Sequence, residues 1–155
     1  MNEFEDYLEA WSDSDWCGDK VGRKSTYGYF FKYLKAPISW CSKKKTVVTL
    51  SSCEAEYIAA TEANCQCVWL ESMLDDLKLD HVKPMQLCVD NQSTINLAKN
   101  SISHGRSKHI ETKFHFLREQ VGKGKLEVKH CNTKKKVTDI FTKPLKLDRF
   151  EELRE

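Results

Sequence analysis

The stretch Leu50-Ser-Ser-Cys-Glu-Ala-Glu-Tyr-Ile-Ala-Ala60 carries the signals for the start of a helix, and within its first two turns a carboxylate that those signals do not explain. Ser51 is predicted to be the N-cap residue, because a serine hydroxyl accepts a hydrogen bond from a free amide of the first turn. Glu54 is expected to complete a capping box by reaching back to the Ser51 N–H. Glu56 has no comparable role in starting the helix.

The apolar face of this helix leads directly to Glu56. Steps of three and four residues from it reach one continuous stripe, typical of a helix that packs on a core: Ala59, Ala60, Ala63, Cys67, Leu70, Leu74 and Leu77. Glu56 stands at the N-terminal edge of the stripe, and burying a carboxylate is costly unless it is paired or bound to a metal. The alternative is that the stripe ends before Glu56, which then lies in solvent like most acidic side chains.

Length and composition indicate a single globular domain over residues 1–155, with residues 1–6 as a disordered tail. Of the 155 residues 40% are hydrophobic, and they include 7 Phe, 4 Trp and 5 Tyr. No run approaches the roughly 18 apolar residues of a membrane span, and the acidic N-terminus does not resemble a signal peptide. The 7 cysteines show no disulfide spacing. We therefore expect an intracellular protein, cytoplasmic or nuclear and not secreted.

The net charge of +2 conceals an uneven distribution of charge along the chain. Residues 99–146 hold 13 Lys and Arg against 4 Asp and Glu, whereas the remaining 107 residues hold 12 against 19. A basic half beside an acidic half suits a protein that holds a polyanion near a cluster of carboxylates. Chance clustering on an ordinary solvated surface is the alternative.

The pattern of apolar residues and turn residues predicts an α/β fold. Strands are predicted at residues 7–15, 25–34, 38–42, 85–89 and 126–131, with a short further β run at 46–49. Helices are predicted from 52 to about 79, at about 92–99, along Ile110, Phe114, Leu117 and Val121 up to Gly122, at 137–142, and at the C-terminus over 147–155. This order predicts a mixed five-stranded sheet, an antiparallel meander plus two parallel strands, with helices on its faces.

Four acidic residues occupy special places in this order. They are Asp13 at the end of the first strand, Glu56 in the long helix, Asp90 after the strand at 85–89 and Asp139 in the helix after the last strand. Ligands bind outside strand ends in open α/β sheets, so these acids could converge there. Such a cluster repels itself unless cations are present. Oxygen ligands select Mg²⁺ or Mn²⁺, and two such ions about 4 Å apart serve phosphodiester hydrolysis.

Each acid also has a simpler interpretation. Asp13 could be a turn residue, and Asp15 competes with it for any functional role. Asp90 could be only an N-cap. Asp139 could be a solvated helical residue, since most acidic residues lie at the surface.

Several segments resemble, in this order, the ribonuclease H domain of copia-type LTR-retrotransposon Pol polyproteins. They are Tyr7-Leu-Glu-Ala-Trp-Ser-Asp-Ser-Asp-Trp-Cys-Gly-Asp19, Arg23-Lys-Ser-Thr-Tyr-Gly-Tyr29, Pro37-Ile-Ser-Trp40, Ser51-Ser-Cys-Glu-Ala-Glu-Tyr-Ile-Ala-Ala60, Asp90-Asn-Gln-Ser93, Arg106-Ser-Lys-His-Ile110, His115-Phe-Leu-Arg-Glu119 and Thr138-Asp-Ile-Phe-Thr-Lys-Pro-Leu145. The resemblance covers the chain from Tyr7 to its C-terminus.

The resemblance implies the ribonuclease H fold and metal-dependent cleavage of the RNA strand of RNA–DNA hybrids during reverse transcription. The family's Asp-Glu-Asp-Asp metal-binding set matches Asp13, Glu56, Asp90 and Asp139, which would hold two Mg²⁺ ions, with Mn²⁺ able to substitute. The expected partners are the hybrid and the reverse transcriptase region of the same polyprotein, with no membrane.

Candidate contacts to the nucleic acid follow from charge and position. They are Asn91 and Gln92, which follow Asp90, and the basic residues Arg106, Lys108, Lys113, Lys134, Lys135 and Lys136. The last three stand where the family usually has acidic or neutral residues, and they add positive charge near the expected metals.

Two other functions remain open. The chain could be a catalytically weak module that grips a hybrid for the larger polyprotein, or an integrase-like enzyme of the same superfamily. The early position of Glu56 disfavours the integrase-like enzyme, because the resemblance to integrase-type sites implies a glutamate late in the chain.

Overall fold

A five-stranded sheet with β1 at its centre organises the molecule. The computed structural model describes residues 8–99, 108–132 and 137–154, without the side chains of residues 108–111, 113 and 114. The strands are β1 (Leu8–Asp15), β2 (Thr26–Tyr33), β3 (Ala36–Lys44), β4 (Met85–Val89) and β5 (Leu126–His130). Their order is β3-β2-β1-β4-β5, with β1–β2 and β2–β3 antiparallel and β1–β4 and β4–β5 parallel. The predicted mixed sheet is confirmed.

The helices described are α1 (Ser52–Asp76), α2 (Gln92–Lys99), α3 (Lys108–Gly122), α4 (Asp139–Thr142) and α5 (Leu147–Arg154). The stripe on α1 lies against the sheet, where Ala60, Ala63, Cys67 and Leu70 are at most 2% exposed. These residues share a core cluster with strand residues such as Phe31. The long central helix therefore forms because its buried face recurs every three to four residues, as predicted.

The two ends of α1 differ in detail from the prediction. Ser51 is the N-cap and its hydroxyl accepts from Glu54 N at 3.1 Å, as expected. The Glu54 carboxylate, however, accepts from Leu50 N at 2.8 Å instead of closing the capping box on Ser51 N–H. At the other end α1 stops at Asp76 rather than near residue 79, and Leu77 is 60% exposed. The buried stripe accordingly ends at Leu74.

The predicted β run at residues 46–49 is wrong, because no strand is assigned there. Strand β3 ends at Lys44. Lys45 N still donates to Ser25 O at 2.8 Å, but the Lys45 side chain is buried at 4% exposure. The chain leaves the sheet at this residue and continues toward the N-cap of α1.

A smaller apolar cluster covers the sheet face opposite α1. Trp11, Phe30 and Cys131 are buried there, with Phe141 of α4 packed against them. The rings of Phe30 and Phe141 stack with centroids 5.8 Å apart. This contact holds the short helix α4 against the sheet beside the end of β1.

None of the helices in the described segments is both long and apolar enough to span a membrane. The predicted tail at residues 1–6 lies outside the described residues.

Candidate active site

Three of the four predicted acids lie together at one end of the sheet. Strands β1 and β4 run parallel with Trp11 beside Cys88, so Asp13 and Asp90, two residues further along, end side by side. Glu56 comes from α1, which packs on the face of the sheet opposite α4. One carboxylate oxygen from each of Asp13, Glu56 and Asp90 lies within 4.8 Å of the other two. The side chains of these residues come from three elements that are far apart in the sequence.

Glu56 is buried, at 6% exposure, so the alternative that places it in solvent is wrong. Its Oε1 accepts a hydrogen bond from Ser14 N at 3.2 Å. This bond joins α1 to the end of β1, because Ser14 directly follows Asp13. The separation of Glu56 from Asp13 is therefore fixed by backbone as well as by side chains.

Lys45 strengthens the same connection between β1 and α1. Its ammonium donates to Ser14 Oγ at 3.2 Å and to the Ala55 carbonyl. The Ala55 carbonyl belongs to the first turn of α1, next to Glu56. A buried lysine requires such oxygen partners, because an unpaired charge in the interior is very costly. Lys45 is thus a buried cation that holds together Ser14 and Ala55, the neighbours in sequence of Asp13 and Glu56.

Asp13 has no exposed side-chain surface and is held from α4. The Thr142 hydroxyl donates to Asp13 Oδ2, and Lys143 Nζ lies 3.4 Å from the same oxygen. Thr142 and Asp13 are 129 positions apart in the chain. Through these contacts the C-terminal part of the chain holds the carboxylate of Asp13 in the N-terminal strand.

Asp139 reaches the site through Lys143 rather than as a member of the group of three. It begins α4, is 8% exposed, and its Oδ1 lies 3.2 Å from Lys143 Nζ. The group defined by the 4.8 Å separation contains Asp13, Glu56 and Asp90. Lys143 therefore bridges Asp13 and Asp139.

Asp15 lies on the same face of β1 as Asp13, but in a different environment. Burial raises the pKa of the Asp15 carboxyl above its ordinary value, and the charge of Asp13 raises it further. The ammonium of Lys143 opposes this rise in pKa. The Asp15 carboxylate is directed toward the turn at Gly18. The geometry thus favours Asp13 over Asp15 as a member of the acid group.

The N-cap of α2 is Asn91, not Asp90. Asn91 Oδ1 accepts from Ser93 N at 3.0 Å and from Thr94 N at 3.2 Å. Asp90 is therefore not needed to cap the helix and remains with the acid group. The predicted contact residue Gln92 donates from Nε2 to Asn96 Oδ1 at 3.2 Å on the exposed surface of α2.

Comparison with known proteins relates the chain to transposon polyproteins. It is 42% identical over 144 residues to the retrovirus-related Pol polyprotein from transposon TNT 1-94 of Nicotiana tabacum, and 40% identical over 144 residues to that from transposon RE1 of Arabidopsis thaliana. These matches cover 93% of the chain but only 11% and 10% of the two relatives. The predicted resemblance to copia-type Pol polyproteins is confirmed. No protein-family model matches the chain.

Solved structures identify the architecture. LC11-RNase H1 in complex with an RNA/DNA hybrid is 14% identical with a TM-score of 0.57, over 87% of this chain and 93% of that one. The prototype foamy virus protease-reverse transcriptase is 12% identical with a TM-score of 0.56, over 97% of this chain and 19% of that one. The chain has a ribonuclease H-like fold.

Several predicted contact residues of this ribonuclease H-like fold lie beyond the described part of the structure. Arg106, Lys134, Lys135 and Lys136 fall outside the described residues. Lys108 and Lys113 lie in α3, but their side chains are not described. Their proposed role in binding nucleic acid stays a prediction.

Four residues that position the acids were missed by the sequence analysis: Gly28, Lys45, Thr142 and Lys143. Gly28 lies opposite Asp13 in β2, where a Cβ atom would stand 2.9 Å from Phe141 Cβ. A glycine inside a strand is a known sign of close approach by another segment. Lys143 follows Asp139 by four residues, a spacing that predicts an ion pair on a helix. Nothing in the run Lys43-Lys-Lys45 distinguishes the buried lysine from its exposed neighbours.

Proposed function

We propose that the chain is the ribonuclease H domain of a transposon Pol polyprotein and that it cleaves the RNA strand of RNA–DNA hybrids. The observation that carries the proposal is the group of Asp13, Glu56 and Asp90, with oxygens within 4.8 Å, at the strand ends of a ribonuclease H-like fold. The chain spans about a tenth of the length of its polyprotein relatives. The activity proposed is therefore that of one domain.

The donor set fits hard divalent cations. Asp13, Glu56 and Asp90 offer carboxylate oxygens and no sulfur or nitrogen ligand, as Mg²⁺ and Mn²⁺ require. We infer that these residues hold one ion and that Asp13 with Asp139 holds a second. Bound ions would supply Lewis-acid stabilisation of phosphoryl oxygens and lower the pKa of a water molecule.

The protein's own contribution is to fix these carboxylates before substrate arrives. Ser14 N and Lys45 set the distance between the end of β1 and the start of α1, and so the approach of Glu56 to Asp13. Thr142 and Lys143 restrain Asp13 from the other face of the sheet. Ligands that are oriented in advance need little rearrangement during the reaction, which is the main protein contribution to such catalysis.

The proposed substrate follows from the charge distribution and from the solved neighbour that is described in complex with a hybrid. The basic segment 99–146 is suited to backbone phosphates, with Arg106, Lys108, Lys113 and the lysines at 134–136 as candidates. Selection of the RNA strand requires recognition of the 2′-hydroxyl. We propose that Asn91, Gln92 and polar groups of the meander make this contact.

We also propose that the domain functions together with the reverse transcriptase region of the same polyprotein inside the cell. Support comes from the transposon polyprotein relatives and from the foamy virus protease-reverse transcriptase, part of which shares the fold. Residues 1–155 would form one unit of that larger protein.

Cleavage of an RNA–DNA hybrid with the two strands labelled separately tests the proposal. We expect Mg²⁺ or Mn²⁺ to support cutting of the RNA strand alone, and chelator to stop it. Duplex DNA should remain intact. Cutting of both strands at equal rates, or no cutting with either ion, would contradict the proposal. Tight hybrid binding that is the same for the original protein and Asp90→Asn, without cutting by either, would instead identify a hybrid-binding module.

A further inference from the structure

We propose that Lys143 is an internal cation that occupies the Asp13–Asp139 pair in the metal-free protein and must move away before a second divalent ion binds. This inference rests on the proposed metal-dependent function and adds a regulation of the same site. The Lys143 ammonium lies 3.4 Å from Asp13 Oδ2 and 3.2 Å from Asp139 Oδ1. It therefore bridges two carboxylates from opposite ends of the chain.

Burial explains why a cation is needed at this position. The side chain of Asp13 is 0% exposed and that of Asp139 is 11% exposed. Two buried carboxylates that contact the same cation lie close enough to repel, and the shared cation relieves this repulsion. The fold supplies the cation locally, because Lys143 follows Asp139 by one helical turn and its amide donates to the Asp139 carbonyl at 3.1 Å. The lysine is thus placed by the same short helix that places the acid.

An ammonium group and a divalent ion cannot share this position. Asp13 and Asp139 would supply the carboxylate oxygens for a second divalent ion. Lys143 Nζ already lies 3.2 and 3.4 Å from oxygens of these acids, so its positive charge would repel an ion held by both. The group of Asp13, Glu56 and Asp90 includes only one of the two acids that Lys143 bridges. The group of three acids would therefore hold an ion while Lys143 is in place, whereas the Asp13–Asp139 pair would not.

Lys143 also has a path out of the site. Its side chain is 36% exposed, in contrast to the buried acids it contacts. An incoming nucleic-acid phosphate offers the ammonium an alternative anionic partner. Departure of Lys143 toward that phosphate would open the Asp13–Asp139 pair to the second ion. Full metal loading is then coupled to the presence of substrate.

Counting bound Mn²⁺ in the absence of nucleic acid tests this inference. The matched variants are Lys143→Met, which removes the charge and keeps the length, and Lys146→Met, which removes an exposed lysine three residues away. Electron paramagnetic resonance of free Mn²⁺, with calorimetric titration, gives the number of ions bound. We expect one ion for the original protein and for Lys146→Met, and two for Lys143→Met. Equal numbers and affinities for the original protein and Lys143→Met would overturn the inference.

Thermal melting separates this role from a merely structural one. Without metal, Lys143→Met should melt at a lower temperature than the original protein, because the paired acids repel. Saturating Mn²⁺ should remove most of this difference, whereas loss of a structural contact would lower the melting temperature equally with and without Mn²⁺. If Lys143→Met does not fold, Asp139→Asn combined with Lys143→Met removes both charges. That double variant should fold and bind one ion, and failure to do so would also contradict the proposal.

Two outcomes distinguish this inference from the proposed function. If the original protein binds two ions without nucleic acid and cuts the hybrid, the nuclease function stands and the role of Lys143 is refuted. If no variant binds Mn²⁺ and the hybrid is not cut, the metal-dependent function itself fails, and the role of Lys143 fails with it.

Discussion

At the scale of single residues, the site depends on which polar atoms are already engaged. The sequence offered two functions for Asp90, an N-cap and a metal ligand, and a contact to nucleic acid for Asn91. The structure assigns the cap to Asn91, whose Oδ1 accepts two amides of α2, and leaves Asp90 beside Asp13 and Glu56. Sequence reasoning could not make this choice, because Asp and Asn are about equally good caps.

Replacing Asp90 by Asn should raise the stability of the metal-free protein and lower its activity. One negative charge leaves the acid group while the shape stays nearly the same, so the metal-free protein should gain about 1 kcal/mol in free energy of unfolding. Cleavage should fall by orders of magnitude, because a metal ligand is weakened. Mg²⁺ should raise the melting temperature of the original protein much more than that of the variant. Melts of both proteins with and without Mg²⁺ measure this, and equal shifts would remove Asp90 from the metal site.

Substitutions at Asn91 test the assignment of the cap. Asn91→Ala should lower the free energy of unfolding by about 1 kcal/mol, since two amides of α2 lose their acceptor. Asn91→Asp keeps the acceptor oxygen and should be close to the original protein in stability. Urea denaturation of the three proteins gives the comparison. If Ala and Asp variants are equally stable, the cap contributes nothing. If Asn91 also contacts the hybrid through its amide group, both variants should bind the hybrid more weakly.

At the scale of secondary structure, the sequence predicts the elements well but not the contacts between them. The stripe on α1 is a local periodicity, and it appears in the structure. The failed β run at residues 46–49 follows instead from a tertiary event, the burial of the Lys45 side chain. The position of α4 likewise depends on Gly28, which is 114 residues away from Thr142 in the sequence. A glycine inside a strand signals that another segment approaches closely, but the local pattern does not identify that segment.

The glycine in β2 should be intolerant of even a methyl group. A Cβ atom at Gly28 would lie 2.9 Å from Phe141 Cβ, 3.0 Å from the Cys41 carbonyl oxygen and 3.2 Å from Thr142 Cγ2. Gly28→Ala should therefore push α4 from the sheet and lower the free energy of unfolding by about 1–3 kcal/mol. Cleavage should fall as well, because α4 carries Asp139 and Thr142, which would move away from Asp13.

Gly122→Ala is the matched control for that substitution. An added Cβ at Gly122 meets nothing within 4 Å, and the residue ends α3. Alanine there should leave stability unchanged or raise it slightly. Chemical denaturation and hybrid cleavage of both variants provide the test. A Gly28→Ala protein as stable and active as Gly122→Ala would show that α4 does not depend on close approach to β2.

At the scale of the whole molecule, acidic and basic residues are concentrated in different parts of the chain, as the proposed function requires. The acid group lies where β1, β4 and α1 meet, while the excess of Lys and Arg lies in residues 99–146. The excess of Lys and Arg in residues 99–146 is visible in the sequence alone, since counting charges requires no knowledge of contacts. Composition could not distinguish Lys45 and Lys143, which hold the residues of the acid site, from the other lysines. Their identification required the positions of Ser14, Ala55 and Asp139 around them.

Hybrid binding should depend strongly on salt, because basic residues that meet phosphates release counterions. The logarithm of the binding constant falls with the logarithm of salt concentration at a slope of roughly −0.7 to −0.9 per phosphate contact. Replacing Lys134, Lys135 and Lys136 together by Gln should make the slope shallower by up to about 2 to 3. The strand that is cut should not change, since these lysines are expected to contact phosphates rather than bases.

The control for the salt experiment removes three lysines from the opposite end of the sheet. Lys35 follows β2, Lys78 follows α1 and Lys83 precedes β4, so all three lie away from the ends that carry Asp13, Glu56 and Asp90. Replacing them by Gln changes the net charge by the same amount. Fluorescence anisotropy of a labelled hybrid from low to moderate salt should give an unchanged slope for this triple variant. If both triple variants shift the slope equally, binding responds to net charge alone. The segment at 134–136 would then make no specific phosphate contacts.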